Sequence, residues 1–261
     1  MKIRYFQIDA FADRLFSGNL AGVCPLESWL PAETMQKIAM ENNQAETAFY
    51  VRTGEGHAIR WFTPAVEVDL CGHATLAAGF VLFQFDGFTG PKIAFDSRSG
   101  RLTVRRDGDR LILDFPADSF MPVPLPEHLA AGLGAHPVEV YKGKSDYMLV
   151  FGSQVEIERM NPDFGRLAKV PARGIIVTAP GTASDFVSRF FAPQVGIDED
   201  PVTGSAHTTL APYWAGKLGK KDLTAVQLSR RRGHLRCRVA GERVEISGTA
   251  RAYLQGSIEI D

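Results

Sequence analysis

Two stretches of the chain are free of charged side chains over more than three helical turns. The segment 72–85 (GHATLAAGFVLFQF) contains no Asp, Glu, Lys or Arg, and neither does the segment 205–216 (SAHTTLAPYWAG). A helix that is apolar on every side has to be enclosed by protein. We therefore predict two buried helices, the second of which contains Pro212 and is expected to kink there.

Other stretches carry the patterns of strands and of an amphipathic helix. Residues 3–10 and 46–51 predict short strands, because strand-forming residues dominate them. Residues 32–41 (AETMQKIAME) have helical spacing, with one apolar face that comprises Met35, Ile38 and Ala39. After each uncharged stretch, apolar residues alternate with polar ones on both sides of a turn, over 102–113 and 235–246. Both patterns predict hairpins, with turns at Asp107-Gly108 and near Gly241.

An internal repeat relates the two halves of the chain. The pattern Arg-x-Phe-x-Pro-x-Val-x-x-Asp at 60–69 recurs 129 positions later at 189–198. Gly100-x-Leu-x-x-Arg-x-x-Gly-x-Arg recurs from Gly233 at an offset of 133. Such a period is too long for a solenoid and predicts two similar domains in tandem. Small-molecule sites are frequent between domains, so we expect a cleft there.

The predicted fold class is α+β. Two similar domains, related by a pseudo-twofold axis, are each expected to be a barrel-like, mainly antiparallel sheet around one buried helix. We place the join at 116–126, where the proline-rich MPVPLP favours an extended linker. The predicted domains are residues 1–116, with the last residues of the chain as a candidate addition, and residues 117–261.

Composition and charge narrow the classes of function. Hydrophobic residues make up 45% of the 261 residues and charged residues 23%, as in ordinary globular proteins. The net charge of −1 gives no general reason to bind nucleic acid or an anionic membrane. No stretch approaches the roughly 20 apolar residues that span a bilayer, and the first residues lack the apolar run of a signal peptide. Three cysteines form no disulfide framework, so a reducing cytoplasm is the expected location.

Both predicted buried helices begin after a small, glycine-containing turn. Cys71-Gly72-His73 precedes the first and Thr203-Gly204-Ser205 the second, at corresponding positions of the repeat. The N–H groups and the positive dipole end of a helix N-terminus suit a carboxylate or phosphate. The two turns could therefore bind one ligand in the cleft. The alternative is that the glycines only permit close packing and that Ser205 only caps a helix.

Two acidic residues are candidates for proton transfer. Glu46 precedes apolar strand residues and has no basic residue within five positions, so we expect burial to raise its pKa toward neutrality. Its equivalent in the repeat is Ile175, which predicts one such acid rather than two. Asp200 lies among the residues that the second copy has gained, where it could orient a histidine or bind a substrate amine. A solvent-facing glutamate and a solvated turn aspartate are the alternatives.

The chain resembles the phenazine-biosynthesis PhzF-like proteins. The motifs that carry the resemblance are FADRLFSGNLAGVC (11–24), NNQAETAFYV (42–51), IRWFTPAVEVDLCGHATLAAG (59–79), EDPVTGSAHTTLAPYWAGKLGK (199–220) and RRGHLRCRVAGERVEISGTA (231–250). The resemblance implies the fold of diaminopimelate epimerase, an active site in the cleft between two similar domains, and a homodimer.

The same resemblance implies roles for individual residues. Glu46 matches the family's proton-shuttling glutamate, and His73 and Asp200 match residues that position the substrate and assist its protonation. The carboxylate-binding turns correspond to Gly72, Thr203, Gly204 and Ser205. The implied activity is isomerisation of a small carboxylate-bearing metabolite, such as a dihydro-hydroxyanthranilate, without a cofactor. Ala45 stands before the glutamate, where the phenazine enzymes carry a serine.

Two other functions are open to the sequence. An amino-acid racemase or epimerase of this fold usually needs two opposed thiols, and the chain offers Cys71 in one turn but Thr203 in the other. A binding protein could use the basic cluster 230–238, although the alternation in HLRCRV favours a strand with arginines facing solvent. Metal binding is not expected, because Cys71-x-His73 is too close for the usual ligand spacing.

We interpret His207 as a packed polar residue, and Cys24 and Cys237 as small core residues.

Overall fold

The structure is a computed structural model and describes residues 1–260. In chain order its elements are β1 (Lys2–Ala10), β2 (Asn19–Leu26), α1 (Ala32–Asn42), β3 (Glu46–Thr53), β4 (Gly56–Phe62), β5 (Glu67–Val68), α2 (Gly72–Gln84), β6 (Lys92–Ser97), β7 (Gly100–Asp107), β8 (Arg110–Pro116), β9 (Phe120–Pro122), α3 (Glu127–Leu133), β10 (Glu139–Gly143), β11 (Asp146–Val150), α4 (Gln154–Arg159), α5 (Phe164–Leu167), β12 (Gly174–Pro180), β13 (Phe186–Phe191), a short 3-10 helix (Pro193–Val195), α6 (His207–Leu218), β14 (Asp222–Gln227), β15 (Gly233–Ala240), β16 (Arg243–Gly248) and β17 (Ala250–Glu259).

The chain divides into two compact units. The first comprises residues 1–114 together with the chain from Ser247 onward, and the second comprises Phe115–Ile246. The join predicted from the sequence, after residue 116, lies close to this division.

The first unit is a mainly antiparallel sheet that encloses α2. β1 pairs antiparallel with both β2 and β17, and β3–β4, β6–β7 and β7–β8 are also antiparallel. Two pairings are parallel, β2 with β3 and β4 with β6, and a helix precedes the second strand of each pair. Ten of the 13 residues of α2 are buried, as its uncharged sequence predicts. The prediction of a buried helix over 72–85 is confirmed.

Helix α1 packs on β3 and β4 with the face that its spacing predicts. Met35, Ile38 and Ala39 are its buried residues, and they pack into a cluster with Phe49 and Phe62. The helix ends at Asn43, which adopts the left-handed conformation with φ 48°. Asparagine tolerates that conformation better than most residues other than glycine. The predicted amphipathic helix over 32–41 is therefore confirmed.

The second unit repeats the order of elements of the first. β11 and β12 are parallel across α4 and α5, as β2 and β3 are across α1, and β12 and β13 form an antiparallel hairpin. α6 then precedes the antiparallel strands β14 and β15, as α2 precedes β6 and β7. The internal repeat thus corresponds to a repeated structure, and the predicted α+β class is confirmed.

Helix α6 begins two residues later than predicted. Residues 203–206 form a turn, and the helix starts at His207 with Ala206 as its N-cap. Pro212 lies inside the helix, where its expected kink stays a prediction. The buried Trp214 stacks on Phe186 with ring centroids 5.8 Å apart and donates a 2.9 Å hydrogen bond to Thr178 Oγ1. That donation satisfies the indole N–H inside the core.

The stretch predicted as an extended linker is in part a strand. β9 pairs antiparallel with β10, and Pro122 lies opposite Tyr141. The prolines favour the extended backbone that the sequence predicts, but such a backbone can also join a sheet at its edge.

Among residues 1–260, no helix combines the length and the apolar character that a membrane-crossing helix requires.

Candidate active site

The first unit brings four polar side chains together at the start of α2. Glu46 is the first residue of β3 and Asn19 the first of β2, and the parallel pairing of these strands places Ala21 opposite Glu46. Cys71 is the N-cap of α2, with an extended backbone, and His73 lies in the first turn. A strand start and a helix start therefore fix the positions of Glu46 and His73, both of which the sequence predicts as catalytic.

The imidazole of His73 lies at the centre of this cluster. Its Nε2 is 3.1 Å from Glu46 Oε2, and its Nδ1 is 3.6 Å from Cys71 Sγ and 3.3 Å from Asn19 Nδ2. The side chains of His73 and Glu46 are only 6% and 14% exposed. Nε2 and Oε2 are within ion-pair distance but are not aligned for a hydrogen bond, and neither has another hydrogen-bond partner within residues 1–260. Such buried polar atoms are uncommon away from functional sites.

The pKa of Glu46 departs from the sequence prediction. Burial alone would raise the pKa of this carboxyl, but the attraction of His73, with a smaller contribution from Cys71, outweighs burial and lowers the pKa. The predicted upward shift is therefore wrong. It considered only the apolar neighbours along the strand, whereas the histidine comes from a distant part of the chain. Glu46 is ionised at neutral pH.

The other two ionisable groups respond to the same arrangement. Burial alone would lower the pKa of His73, but its neighbours Cys71 and Glu46 outweigh burial and raise it well above its ordinary range. Burial, reinforced by the charge of Glu46, raises the pKa of the Cys71 thiol to about 11. Because that thiol stays protonated at neutral pH, the carboxylate of Glu46 is the partner that stabilises the imidazolium. The cluster therefore holds a carboxylate, an imidazolium and a neutral thiol.

The second unit forms its own cluster around Thr203. The Thr203 hydroxyl donates to Asp200 Oδ2 at 2.5 Å, and the Thr203 N–H donates to Gln227 Oε1 at 2.8 Å. Gln227 Nε2 in turn donates to the carbonyl oxygen of Asp200 at 2.7 Å. Gln227 is completely buried, so its amide fixes the backbone between Asp200 and Thr203. Sequence reasoning missed this residue, although a glutamine at the end of the apolar strand DLTAVQ is an available signal.

The turn before α6 is largely buried and contacts a cationic side chain. Arg173 Nη1 donates to Ser205 Oγ at 3.0 Å, while its Nε donates to Asp146 Oδ1 at 2.9 Å. A Cβ added at Gly204 would meet no described atom within 4 Å, so packing does not require glycine there. Ser205 does not cap α6 with its side chain. Both alternatives for this turn, close packing and capping, are therefore wrong, and Arg173 supplies a positive charge that the sequence did not reveal.

The remaining candidates occupy structural positions. His207 Nδ1 lies 2.9 Å from the Thr203 carbonyl oxygen, and burial lowers the pKa of this histidine to about 4, so it is a neutral, packed residue as predicted. Cys24 and Cys237 are buried. In β15 the arginines at 236 and 238 alternate with buried Leu235 and Cys237, which confirms the predicted strand.

The predicted site residues thus fall into two groups. Glu46, Gly72 and His73 lie together in the first unit. The second group, in the other unit, comprises Asp200, Thr203, Gly204 and Ser205. A cleft in which both groups bind one ligand stays a prediction.

Comparisons with known proteins give a consistent result over the whole chain. Residues 8–256 match the family model described as phenazine biosynthesis-like protein. An uncharacterized isomerase of Pseudomonas aeruginosa is 52% identical over 260 residues, with complete coverage of both chains. The crystal structure of a phenazine biosynthesis protein of the PhzF family from Enterococcus faecalis is 44% identical, covers both chains completely and gives a TM-score of 0.97.

A more distant structure is similar in fold alone. The predicted epimerase from Pseudomonas aeruginosa is 21% identical, covers 99% of this chain and 100% of its own, and gives a TM-score of 0.74. The epimerase-like fold expected from the sequence is thereby confirmed.

Proposed function

The chain belongs to the phenazine biosynthesis-like family and is an isomerase, and from that premise we propose that it moves a proton between two carbons of a small carboxylate-bearing metabolite. The observation that supports this reaction most is the buried pair of Glu46 and His73, with Nε2 and Oε2 3.1 Å apart. A general base and a cationic partner, both shielded from water, are what proton abstraction from carbon requires. No cofactor has a role in the proposal.

Glu46 is the proposed proton carrier. Its lowered pKa keeps the carboxylate ionised and ready to accept a proton from an acidic carbon. The same carboxyl, once protonated, delivers that proton to a second carbon of the same substrate. A single group that accepts and returns the proton accounts for the apolar Ile175 at the equivalent position of the repeat.

His73 is the proposed electrostatic partner. Removing a proton from carbon leaves an anion that is delocalised toward the substrate's unsaturated or carboxyl groups. The raised pKa of His73 keeps the imidazole positively charged, so it stabilises that anion. The sulfur of Cys71 lies 3.6 Å from the other ring nitrogen and can accept its N–H, and the Asn19 amide lies beside the ring.

The substrate carboxylate is proposed to bind at the glycine-containing turns. Gly72 begins α2, and Thr203, Gly204 and Ser205 lie in the turn before α6. The Arg173 guanidinium on Ser205 adds a positive charge that suits a carboxylate. Asp200, as the family resemblance implies, is proposed to position the substrate and to assist its protonation.

The test is deuterium incorporation from D₂O, followed by proton NMR. Wild type, Glu46→Gln and the control Glu55→Gln are each incubated with a panel of unsaturated and amino-substituted carboxylic acids that includes dihydro-hydroxyanthranilate. Glu55 is exposed in the turn that follows the strand of Glu46, so its variant should keep wild-type rates. Glu46→Gln should lose about 10²–10⁴-fold in rate. Full turnover by Glu46→Gln would refute the mechanism.

Racemisation or epimerisation at an α-carbon is the second candidate. Cys71 beside His73 gives the site a second acid–base group, which favours this reading. Against it, the pKa of Cys71 is raised to about 11, and the second turn offers Thr203 instead of a thiol. The same NMR experiment separates the two, since exchange with inversion and no shifted double bond would identify an epimerase.

A further inference from the structure

Three side chains at the start of α2 form a set of metal donors. A carboxylate oxygen of Glu46, the sulfur of Cys71 and a ring nitrogen of His73 all lie within 4.8 Å of one another. We propose that this cluster is a binding site for Zn²⁺ and that an ion bound there blocks the active site. The inference goes beyond the proposed reaction, because it depends only on the chemistry and positions of the three donors.

The donor types suit zinc. Zn²⁺ is bound by cysteine sulfur, histidine nitrogen and carboxylate oxygen at about 2.0–2.3 Å, usually as a tetrahedron. Donor atoms of such a tetrahedron are therefore about 3.3–3.8 Å apart. With one donor atom from each residue, no separation in the set exceeds 4.8 Å. Glu46 Oε2 lies 3.1 Å from His73 Nε2, and Cys71 Sγ lies 3.6 Å from the other ring nitrogen, Nδ1.

Only a small adjustment completes the site. Zinc binds one ring nitrogen, so the donor that now faces the other nitrogen has to move toward the ion. Because no separation in the set exceeds 4.8 Å, each pair of donors is at most about 1 Å farther apart than in a tetrahedral zinc site. Three protein ligands then leave a fourth position for water, as in zinc sites that are open to small ligands.

Local backbone geometry explains why sequence spacing argued against a metal. Zinc ligands that are close in sequence are usually separated by at least two other residues, whereas only Gly72 separates Cys71 from His73. Cys71 instead lies just outside α2 with an extended backbone (φ −143°, ψ 109°), and its sulfur still reaches the ring of His73. The third donor comes from β3, far away in sequence. The expectation from the sequence that Cys71-x-His73 is too closely spaced for a metal considered these two residues alone, and the zinc experiment below tests it.

Burial and charge strengthen the inference. Cys71 and His73 are 6% and 5% exposed, and Glu46 Oε2 and His73 Nε2 have no hydrogen bond with any residue from 1 to 260. An ion would give both atoms a partner. With a carboxylate and a thiolate as ligands, the charge of Zn²⁺ is balanced inside the protein. The Cys71 thiol and the His73 imidazolium must each release a proton to solvent on binding, so zinc affinity should rise with pH.

The test uses cobalt as a spectroscopic probe and zinc as the ligand. The full chain, freed of metals with a chelator, is titrated with Co²⁺ while sulfur-to-cobalt charge-transfer absorption is recorded. Zn²⁺ binding is measured by calorimetry on wild type, Cys71→Ser and Glu46→Gln. The controls are Cys24→Ala and Cys237→Ala, since both of those cysteines are buried outside the cluster.

We expect one equivalent of Co²⁺ to produce the sulfur band in wild type and in both controls. Cys71→Ser should lose the band, and Glu46→Gln should keep it. Both of these variants should bind Zn²⁺ at least about 100-fold more weakly, since even removal of a group behind a ligand costs 10–100-fold. Circular dichroism verifies that each variant is folded.

Two outcomes would overturn the inference. They are the lack of a sulfur band in wild type and a band that persists in Cys71→Ser. Neither outcome bears on the isomerase, because the D₂O exchange experiment is carried out on metal-free protein. If a substrate is found there, one equivalent of Zn²⁺ should suppress its exchange and a chelator should restore it.

Discussion

At the scale of single residues, the cluster in the first unit depends on charge inside a buried space. The Glu46 carboxylate and the His73 imidazole each raise the stability of the other's charged form, and both lie beneath the surface. Each charge of such a pair needs the other, because a buried charge without its partner is strongly destabilising. Stability should therefore report on the ionisation of both groups.

The two pKa shifts predict how stability depends on pH. Glu46 has a pKa below its ordinary 4.5, so its contribution is present above 4.5 and is lost as pH falls through the lowered pKa. The pKa of His73 lies above 6.5, so its contribution is present below 6.5 and is lost as pH rises through the raised pKa. The stability difference between wild type and His73→Gln should be largest between pH 4.5 and 6.5. Urea unfolding at a series of pH values measures it.

His207→Gln is the matched control for this experiment. The pKa of His207 is lowered to about 4, so the contribution of this histidine should grow as pH rises from about 4 to 6.5. The stability difference for His207→Gln should therefore rise between pH 4 and 6.5, whereas the difference for His73→Gln should fall above pH 6.5. A difference between wild type and His73→Gln that did not change with pH would contradict the assigned charges.

At the scale of elements, α2 is placed by a glycine that lets it approach the sheet. A Cβ added at Gly79 would lie 2.8 Å from Val104 Cγ1, which is too close for unchanged packing. Val104 belongs to β7, so Gly79 sets the distance between the helix and that strand. The same helix carries His73 in its first turn.

Gly79→Ala should therefore destabilise the protein. Alanine improves helix propensity by about 1 kcal/mol, but overpacking a core costs about 1–3 kcal/mol, so a net loss of roughly 1 kcal/mol is expected. In the double variant with Val104→Ala, the two effects should be less than additive. Gly216→Ala in α6 is the control, since its Cβ would meet nothing within 4 Å and should stabilise by up to about 1 kcal/mol. Urea unfolding compares these three variants with Val104→Ala and wild type. A stabilised Gly79→Ala would contradict this packing.

Elements of this kind are what the sequence predicts best. The uncharged stretch 72–85 is helix Gly72–Gln84, and the amphipathic stretch 32–41 is helix Ala32–Asn42, because burial periodicity is a local property. Helix α6 begins two residues later than predicted, since the N–H groups of residues 207–209 bond to the carbonyl oxygens three residues earlier and form a tighter turn there. Strand partners, such as the parallel β2 and β3, depend on contacts between distant segments and were not predictable.

The same limit applies to the site. Glu46 and His73 were predicted through their motifs, whereas Asn19, Arg173 and Gln227 were not. Asn19 lies beside His73 only because β2 pairs with β3, and Arg173 reaches Ser205 from a segment 32 residues earlier. The downward shift of the Glu46 pKa has the same origin, since the residue responsible is 27 positions away and on another element.

At the scale of the whole chain, the first unit is built from both ends of the described sequence. β1 and β17 pair along their entire length, from Lys2 opposite Glu259 to Ala10 opposite Ala250. β1 also pairs with β2, which begins at Asn19. β17 thus lies beside β1. The strands that follow β1 in the sheet, β2 and β3, carry Asn19 and Glu46. The homodimer implied by the family resemblance stays a prediction.

Removing β17 should therefore unfold the first unit. A chain that ends at Gly248 leaves β1 with an unpaired edge and takes Ile258 away from the core that contains Ile3 and Phe49. Exposed edges of that kind promote aggregation. We expect the shortened chain to lose far-UV circular dichroism and to show no sulfur-to-cobalt absorption, because the cluster of Glu46, Cys71 and His73 belongs to the same unit.

A peptide comprising residues 249–260 makes this prediction specific. If β17 acts by pairing with β1, the peptide added in trans should restore circular dichroism to the shortened chain, while a peptide of the same composition in scrambled order should not. Most side chains of β17 are exposed, so backbone hydrogen bonds to β1 rather than side-chain burial should provide the binding. Binding should then tolerate Tyr253→Ser in the peptide. A shortened chain with the circular dichroism and the urea midpoint of wild type would show that the first unit folds without β17.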